Sequence, residues 1–206
     1  QREAYRFQSL VQQRVAAVWE SRPHTTALVS FALRLNHTTA APEAVKLLAN
    51  PKTTAAERKR LLELLSERRI EAALPIIATL LKNEKADAAR LDLLNAIARF
   101  NALEVGQTIL ELLPSFSPMV RSTAVTALSS RADWARPLLE LVDRGEIKKE
   151  QVSVSNLLAM QTLADPQTNK LIKKHWGNLR ASPQEKEEQI KNLRIAATRP
   201  GGDASA

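Results

Sequence analysis

Three histidines, His24, His37 and His175, are the side chains best suited to proton transfer or metal ligation near neutral pH. None stands in an H-x-x-x-H or H-E-x-x-H pattern, which on a helix would bring two imidazoles to one face. His24 and His37 fall in polar breaks between helical patterns, where an exposed histidine is the ordinary reading. His175 precedes Trp176 and reads as an exposed histidine beside a core tryptophan. No Gly-x-Ser-x-Gly turn presents a serine nucleophile. The adjacent glycines Gly201-Gly202 follow the last apolar stripe instead of opening a helix, so they cradle no phosphate. The chain has no cysteine, which removes disulfides, thiolate metal sites and covalent haem attachment from these residues. Glu57, Glu63, Glu67, Glu185, Glu187 and Glu188 stand among Arg and Lys on helical faces and read as surface ion pairs, worth at most about 0.5 kcal/mol each. No catalytic, cofactor-binding or metal-binding residue is assigned, and the chain reads as non-enzymatic.

What remains is charge. The 206 residues carry 30 basic and 22 acidic side chains, a formal net charge of +8. Arg58-Lys59-Arg60 with Arg68-Arg69 forms one basic cluster. Lys170, Lys173 and Lys174 form a second, and with His175 they make a candidate interaction surface. A basic helical face can grip nucleic-acid phosphates, which is the alternative function. Acids interrupt the first cluster, however, and only 4% of residues are aromatic, so bases would find few stacking partners. Protein partners fit better. Trp19, Trp134 and Trp176 read as anchors in three parts of a core, not as a binding cage.

These side chains need helices to position them. Leu and Ala dominate the apolar content, and only five glycines are present, so the composition predicts an all-α fold. Apolar residues at helical spacing predict helices over residues 7–20, from Phe7 to Trp19, and over 25–35, with a short helix opening near Pro42. From Thr54 to Val142 the stripes recur every 31 residues or so, the signature of stacked helical hairpins. Arg58, Leu61, Leu62 and Leu65 match Arg90, Leu93, Leu94 and Ile97, and then Arg121, Ala124, Val125 and Leu128. Thr54 with Glu57 predicts a capping box. After Arg68-Arg69, a helix carrying Ile70, Ala73, Leu74, Ile77 and Leu81 is expected. Pro75, Gly106 and Pro137 share one register and predict a common start for the second helix of each hairpin. Asp143-Arg144-Gly145 reads as a turn, and a helix is expected over 155–164. Asp165-Pro166 opens another helix, which Gly177 ends. Ser182-Pro183-Gln184-Glu185 opens a terminal helix over 181–198, and 199–206 has linker composition. The repeat domain thus spans 1–180, with its clearest units in 54–142. The chain opens inside a helical pattern, which reads as part of a longer protein. No apolar run approaches the roughly 18 residues of a membrane span, and Gln1-Arg2-Glu3 does not begin a signal peptide.

The hairpins resemble HEAT repeats, whose helix pairs stack into right-handed α-α superhelices. The C-terminal third carries a second likeness. Val152-Ser153-Val154-Ser155, Leu163-Ala164-Asp165-Pro166, His175-Trp176-Gly177, Ser182-Pro183-Gln184-Glu185-Lys186 and Gly201-Gly202-Asp203 are similar to the segment before the cytochrome c domain in large haem-binding proteins of planctomycetes and verrucomicrobia. In that family a dehydrogenase-like β-propeller precedes the repeats, and a C-x-x-C-H cytochrome follows them. The resemblance implies a scaffold or docking domain without a cofactor of its own, with haem c in the adjacent domain. The implied partners are neighbouring domains of the parent chain or another protein. A periplasmic or cell-envelope location is implied too, because c-type haem is attached outside the cytoplasm. No C-x-x-C-H occurs in this sequence, so no haem-binding residue is carried over, His175 included.

Overall fold

The computed structural model of the protein describes residues 2–179 and Lys191. Apart from Lys191, the expected terminal helix over 181–198 and the linker over 199–206 lie outside the described residues, as does the side chain of Phe7. Among the described residues the fold is all-α. Its helices are α1 (Arg2–Ser21), α2 (Thr26–Arg34), α3 (Ala40–Ala49), α4 (Ala55–Glu67), α5 (Leu74–Asn83), α6 (Asp87–Ile97), α7 (Leu103–Leu112), α8 (Pro118–Leu128), α9 (Ala132–Asp143), α10 (Val154–Thr162) and α11 (Pro166–Trp176). Short 3₁₀ turns occupy Glu71–Ala73, Leu113–Ser115 and Lys149–Gln151.

Hydroxyl and carboxylate caps set many of the starts. The N–H of Glu57 donates to Thr54 Oγ1 at 3.3 Å while the N–H of Thr54 donates to Glu57 Oε2 at 3.0 Å, completing the capping box of α4. Glu57 is therefore a cap, not a surface ion pair. Thr25, Ser117 and Ser153 accept N–H bonds at the starts of α2, α8 and α10, and Asp165 Oδ2 accepts one at 2.8 Å at the start of α11. Each such cap contributes about 1 kcal/mol. At the other end of α11, Gly177 stands at φ +71°, which glycine adopts without the Cβ penalty.

The helices touch in two rows. In one, α2, α4, α6 and α8 pack in succession; in the other, α3, α5, α7, α9 and α11 do. Leu61, Leu65, Leu94, Ile97, Val120, Ala124 and Leu128 from the first row meet Ile77, Leu81, Ile109, Leu138 and Leu139 from the second in one continuous buried cluster. Each fully buried Leu or Ile stabilises by about 1.5–3 kcal/mol. The pair α2 and α3 joins both rows, so the stacking reaches beyond the sequence's clearest units.

The common start expected from Pro75, Gly106 and Pro137 does not hold. Pro75 is the second residue of α5, Gly106 the fourth of α7 and Pro137 the sixth of α9. Pro137 lies inside its helix, where a proline costs about 3 kcal/mol. Complete burial of Trp134, Leu138 and Leu139 on the same helix outweighs that cost. Gly106 serves packing instead: a Cβ there would lie 2.3 Å from Trp134 Cδ1. Other boundaries shift slightly. Ile70 and Ala73 precede α5, and α10 begins at Val154 and ends at Thr162.

Candidate interaction surface

The repeated arginine of the first row is a brace for the loops, not a free cation. Arg90 Nε donates to the carbonyl of Glu84 at 2.8 Å and Nη1 to that of Ser115 at 3.3 Å, with the guanidinium 5.6 Å from the Phe116 ring centroid. Arg121 donates to the carbonyls of Leu113, Pro114 and Phe116 at 3.0–3.2 Å. Arg58 reaches Asn50 and Thr53 carbonyls at longer range, 3.5 and 3.4 Å. Arg58 and Arg121 reach back to carbonyls of the segment before their own helix, and Arg90 reaches both the segment before α6 and the turn before α8.

A second set of polar contacts joins successive units. Arg68 donates to Asn36 Oδ1 and to the Arg34 carbonyl, and Arg131 donates to Asn101 Oδ1. Lys59 pairs with Asp92 at 2.9 Å, and Arg99 lies 3.9 Å from Glu67. Of the first basic cluster, Arg58, Lys59 and Arg68 are thus engaged, while Arg60 and Arg69 are exposed.

The surface centred on α11 divides the same way. Asp143 Oδ1, at the end of α9, accepts from both Lys174 Nζ and His175 Nε2, the latter at 2.6 Å. Lys174 first, and His175 next, hold the Asp143 carboxyl below its ordinary range. His175 is therefore half-buried and paired, not exposed, and it meets the edge of Trp176 at 5.8 Å between centroids. Trp176 is only partly buried and packs against the edge of the core. Lys170 and Lys173 remain exposed and are the two members of the set open to a partner. Asp143 precedes Lys174 and His175 by about one repeat, which is the one signal in the sequence that bears on this pairing.

His24 and His37 are half-buried too, because both lie against Trp19. Their centroids stand 4.0 and 4.8 Å from the Trp19 ring, and His24 Nε2 donates to the Trp19 carbonyl at 3.1 Å. A carbonyl only accepts, so Nε2 carries the proton; Nδ1 then faces Glu43 Oε2 at 3.6 Å. Lys46 first, and His24 after it, lower the Glu43 carboxyl. The cluster ties α1 to the turns flanking α2. No group of three or more His, Asp or Glu among the described residues is placed to hold a metal ion.

Two grooves open between helices of the second row. A cavity of about 750 Å³ lies where the loop after α9 folds over, lined by Leu113, Pro137 and Ile147 with Arg144 paired to Glu146. A smaller one, about 310 Å³, lies between α5 and α7. Its walls are Leu74, Pro75, Ala78 and Val105, and Glu71 and Glu104 stand at its rim. At the N-terminal end, Leu10, Val18 and Phe31 are about half exposed around an apolar crevice. Sequence reading missed these surfaces, since each depends on helices that register alone does not space. No helix among the described residues is long and apolar enough to cross a membrane. No family model, curated protein or solved structure matches this chain.

Proposed function

We propose that the chain is a right-handed HEAT-like α-α superhelix and acts as a non-catalytic scaffold or protein-interaction domain of a larger exported, c-type haem-containing, dehydrogenase-like protein. One observation carries the superhelical part. Polar contacts between units recur at nearly constant separations: 32 residues for Arg68–Asn36, 33 for Lys59–Asp92, 30 for Arg131–Asn101 and for Thr126–Asn156, and 31 for Lys174–Asp143. A near-constant offset across independent side-chain pairs is what stacking of equivalent units produces. The scaffold role, the haem-bearing neighbour and the periplasmic or cell-envelope setting rest on the likeness of the C-terminal third. The nucleic-acid alternative loses support, because Arg58, Lys59, Arg68 and Lys174 are spent on contacts within the fold.

The test is motion in the longer protein that carries these residues. Amide ¹⁵N relaxation is expected to give this segment the tumbling time of the whole particle. Independent tumbling of residues 2–179 would overturn the scaffold reading. Retained binding of duplex DNA at roughly 50 mM salt would favour the alternative.

A further inference from the structure

The groove between α5 and α7 has a chemistry that selects its occupant. Its walls, Leu74, Pro75, Ala78 and Val105, are apolar, and its rim carries Glu71 and Glu104. No Lys, Arg or His among the described residues lines it, although the chain as a whole is strongly basic. Glu104 lies in the first turn of α7, whose N-terminus contributes a partial positive charge of roughly half a unit, whereas Glu71 lies in the three-residue 3₁₀ turn before α5. Two full negative charges against that one half charge leave the mouth net negative, by about one and a half charges. The volume, about 310 Å³, stands at the lower end of ligand pockets and suits one or two aliphatic side chains.

The gap has a cause in the sequence. Leu103 stands as many residues after Pro75 as Trp134 stands after Gly106. At the second pair glycine leaves room and Trp134 is 1% exposed; at the first, Pro75 fills the corresponding place and Leu103 remains 53% exposed.

The geometry points to this groove as the docking site for a segment of a protein partner in which an aliphatic pair is flanked by Lys or Arg. This deepens the interaction-domain reading and rests on it. The aliphatic side chains enter between α5 and α7, and a single cation meets Glu71 and Glu104. A carboxylate in the same place would face like charge, which gives discrimination as well as affinity.

The experiment is an NMR titration of the whole chain with three tetrapeptides, blocked at both ends: Lys-Leu-Leu-Arg, Glu-Leu-Leu-Glu and Lys-Ser-Ser-Arg. The first is expected to give saturable shifts at the amides of Leu74, Ala78, Val105 and Thr108, with binding at least fivefold tighter than either of the others. Raising salt from about 20 to about 300 mM weakens it severalfold. Glu71→Gln with Glu104→Gln, both on exposed side chains, reduces it at least fivefold without altering the fold. Equal binding of the acidic peptide, shifts confined to other residues, or indifference to the Gln pair would overturn the proposal. Those results leave the tumbling test untouched, so failure of the groove and failure of the scaffold reading are told apart.

Discussion

Near its start α7 meets α5 on one side and α9 on the other at equivalent places, yet there one contact is filled and the other open. The larger α7–α9 cavity lies further along, toward the loop after α9. Toward α9, Gly106 lets the Trp134 ring lie against the α7 backbone, and Arg131 covers that ring from 5.0 Å. Toward α5, Pro75 occupies the matching place and Leu103 finds no seat. The repeat supplies the register, and a single small residue decides whether a seam becomes core or surface. Equivalent places in one row of helices can thus differ in whether an apolar side chain is buried or exposed.

The largest effect should come from the closed seam. Trp134→Ala removes the largest fully buried side chain among the described residues and is expected to cost about 3–5 kcal/mol. Leu103→Ala, at the matching place in the open gap, should change stability by no more than about 0.5 kcal/mol. Urea denaturation of both variants checks the pair; similar losses would mean that the two gaps are not distinct.

Next comes the glycine. Gly106→Ala places a methyl within 3 Å of three Trp134 ring atoms and is expected to cost about 1–3 kcal/mol by overpacking. Combined with Trp134→Ala, the same methyl gains space, so the double variant should lose less than the sum of the singles. Pro75→Ala, near the start of α5 and exposed, should cost under about 1 kcal/mol. Strict additivity of the two closed-seam changes would break the contact argument.

This seam marks where the sequence stops being legible. Helix identity, the Thr54 capping box and the Asp165-Pro166 start depend on neighbours a few residues apart, and local pattern fixed them. Gly106 and Pro137 looked like start signals because both are poor helix formers. What Gly106 does depends on Trp134 across a tertiary gap, and Pro137 is carried inside α9 by the burial around it. Likewise Trp19, His24 and His37 converge only after two turns bring them together, and nothing in their spacing announces the cluster. Lys174 and His175 read as parts of an open interaction surface, yet Asp143 one repeat earlier engages both. Glu71 and Glu104 carried no signal, since two acids in first turns are ordinary until the space between them is known.

Arg90 bridges the loops that bound the two gaps, since it reaches Glu84 before α6 and Ser115 before α8. Arg90→Met keeps much of the aliphatic stem but leaves both carbonyls without this donor. A loss of about 1–2 kcal/mol is expected. Arg58→Met, whose contacts are longer and more exposed, should lose less than half of that. If the two cost the same, the bracing of loops by this register position is generic and contributes nothing to spacing the helices around α7.

At the rim of the contact between α9 and α11 the Asp143 carboxylate pairs with Lys174 and His175, and its effect should be the smallest of these and the one that pH controls. Lys174 and His175 hold the Asp143 carboxyl below its ordinary value of 3.8. A lowered carboxyl contributes stability that is fully present above that ordinary value and is lost as pH falls through the lowered one. Asp143→Asn should therefore be less stable than the unaltered protein near pH 6, and the difference should shrink steadily below pH 3.8 as the native carboxylate takes up its proton. The contact is solvent-exposed, so added salt should also reduce the difference near pH 6. A gap between the two urea midpoints that stayed constant from pH 6 to below pH 3 would mean that shape, not charge, holds this contact as Trp134 holds the one before it.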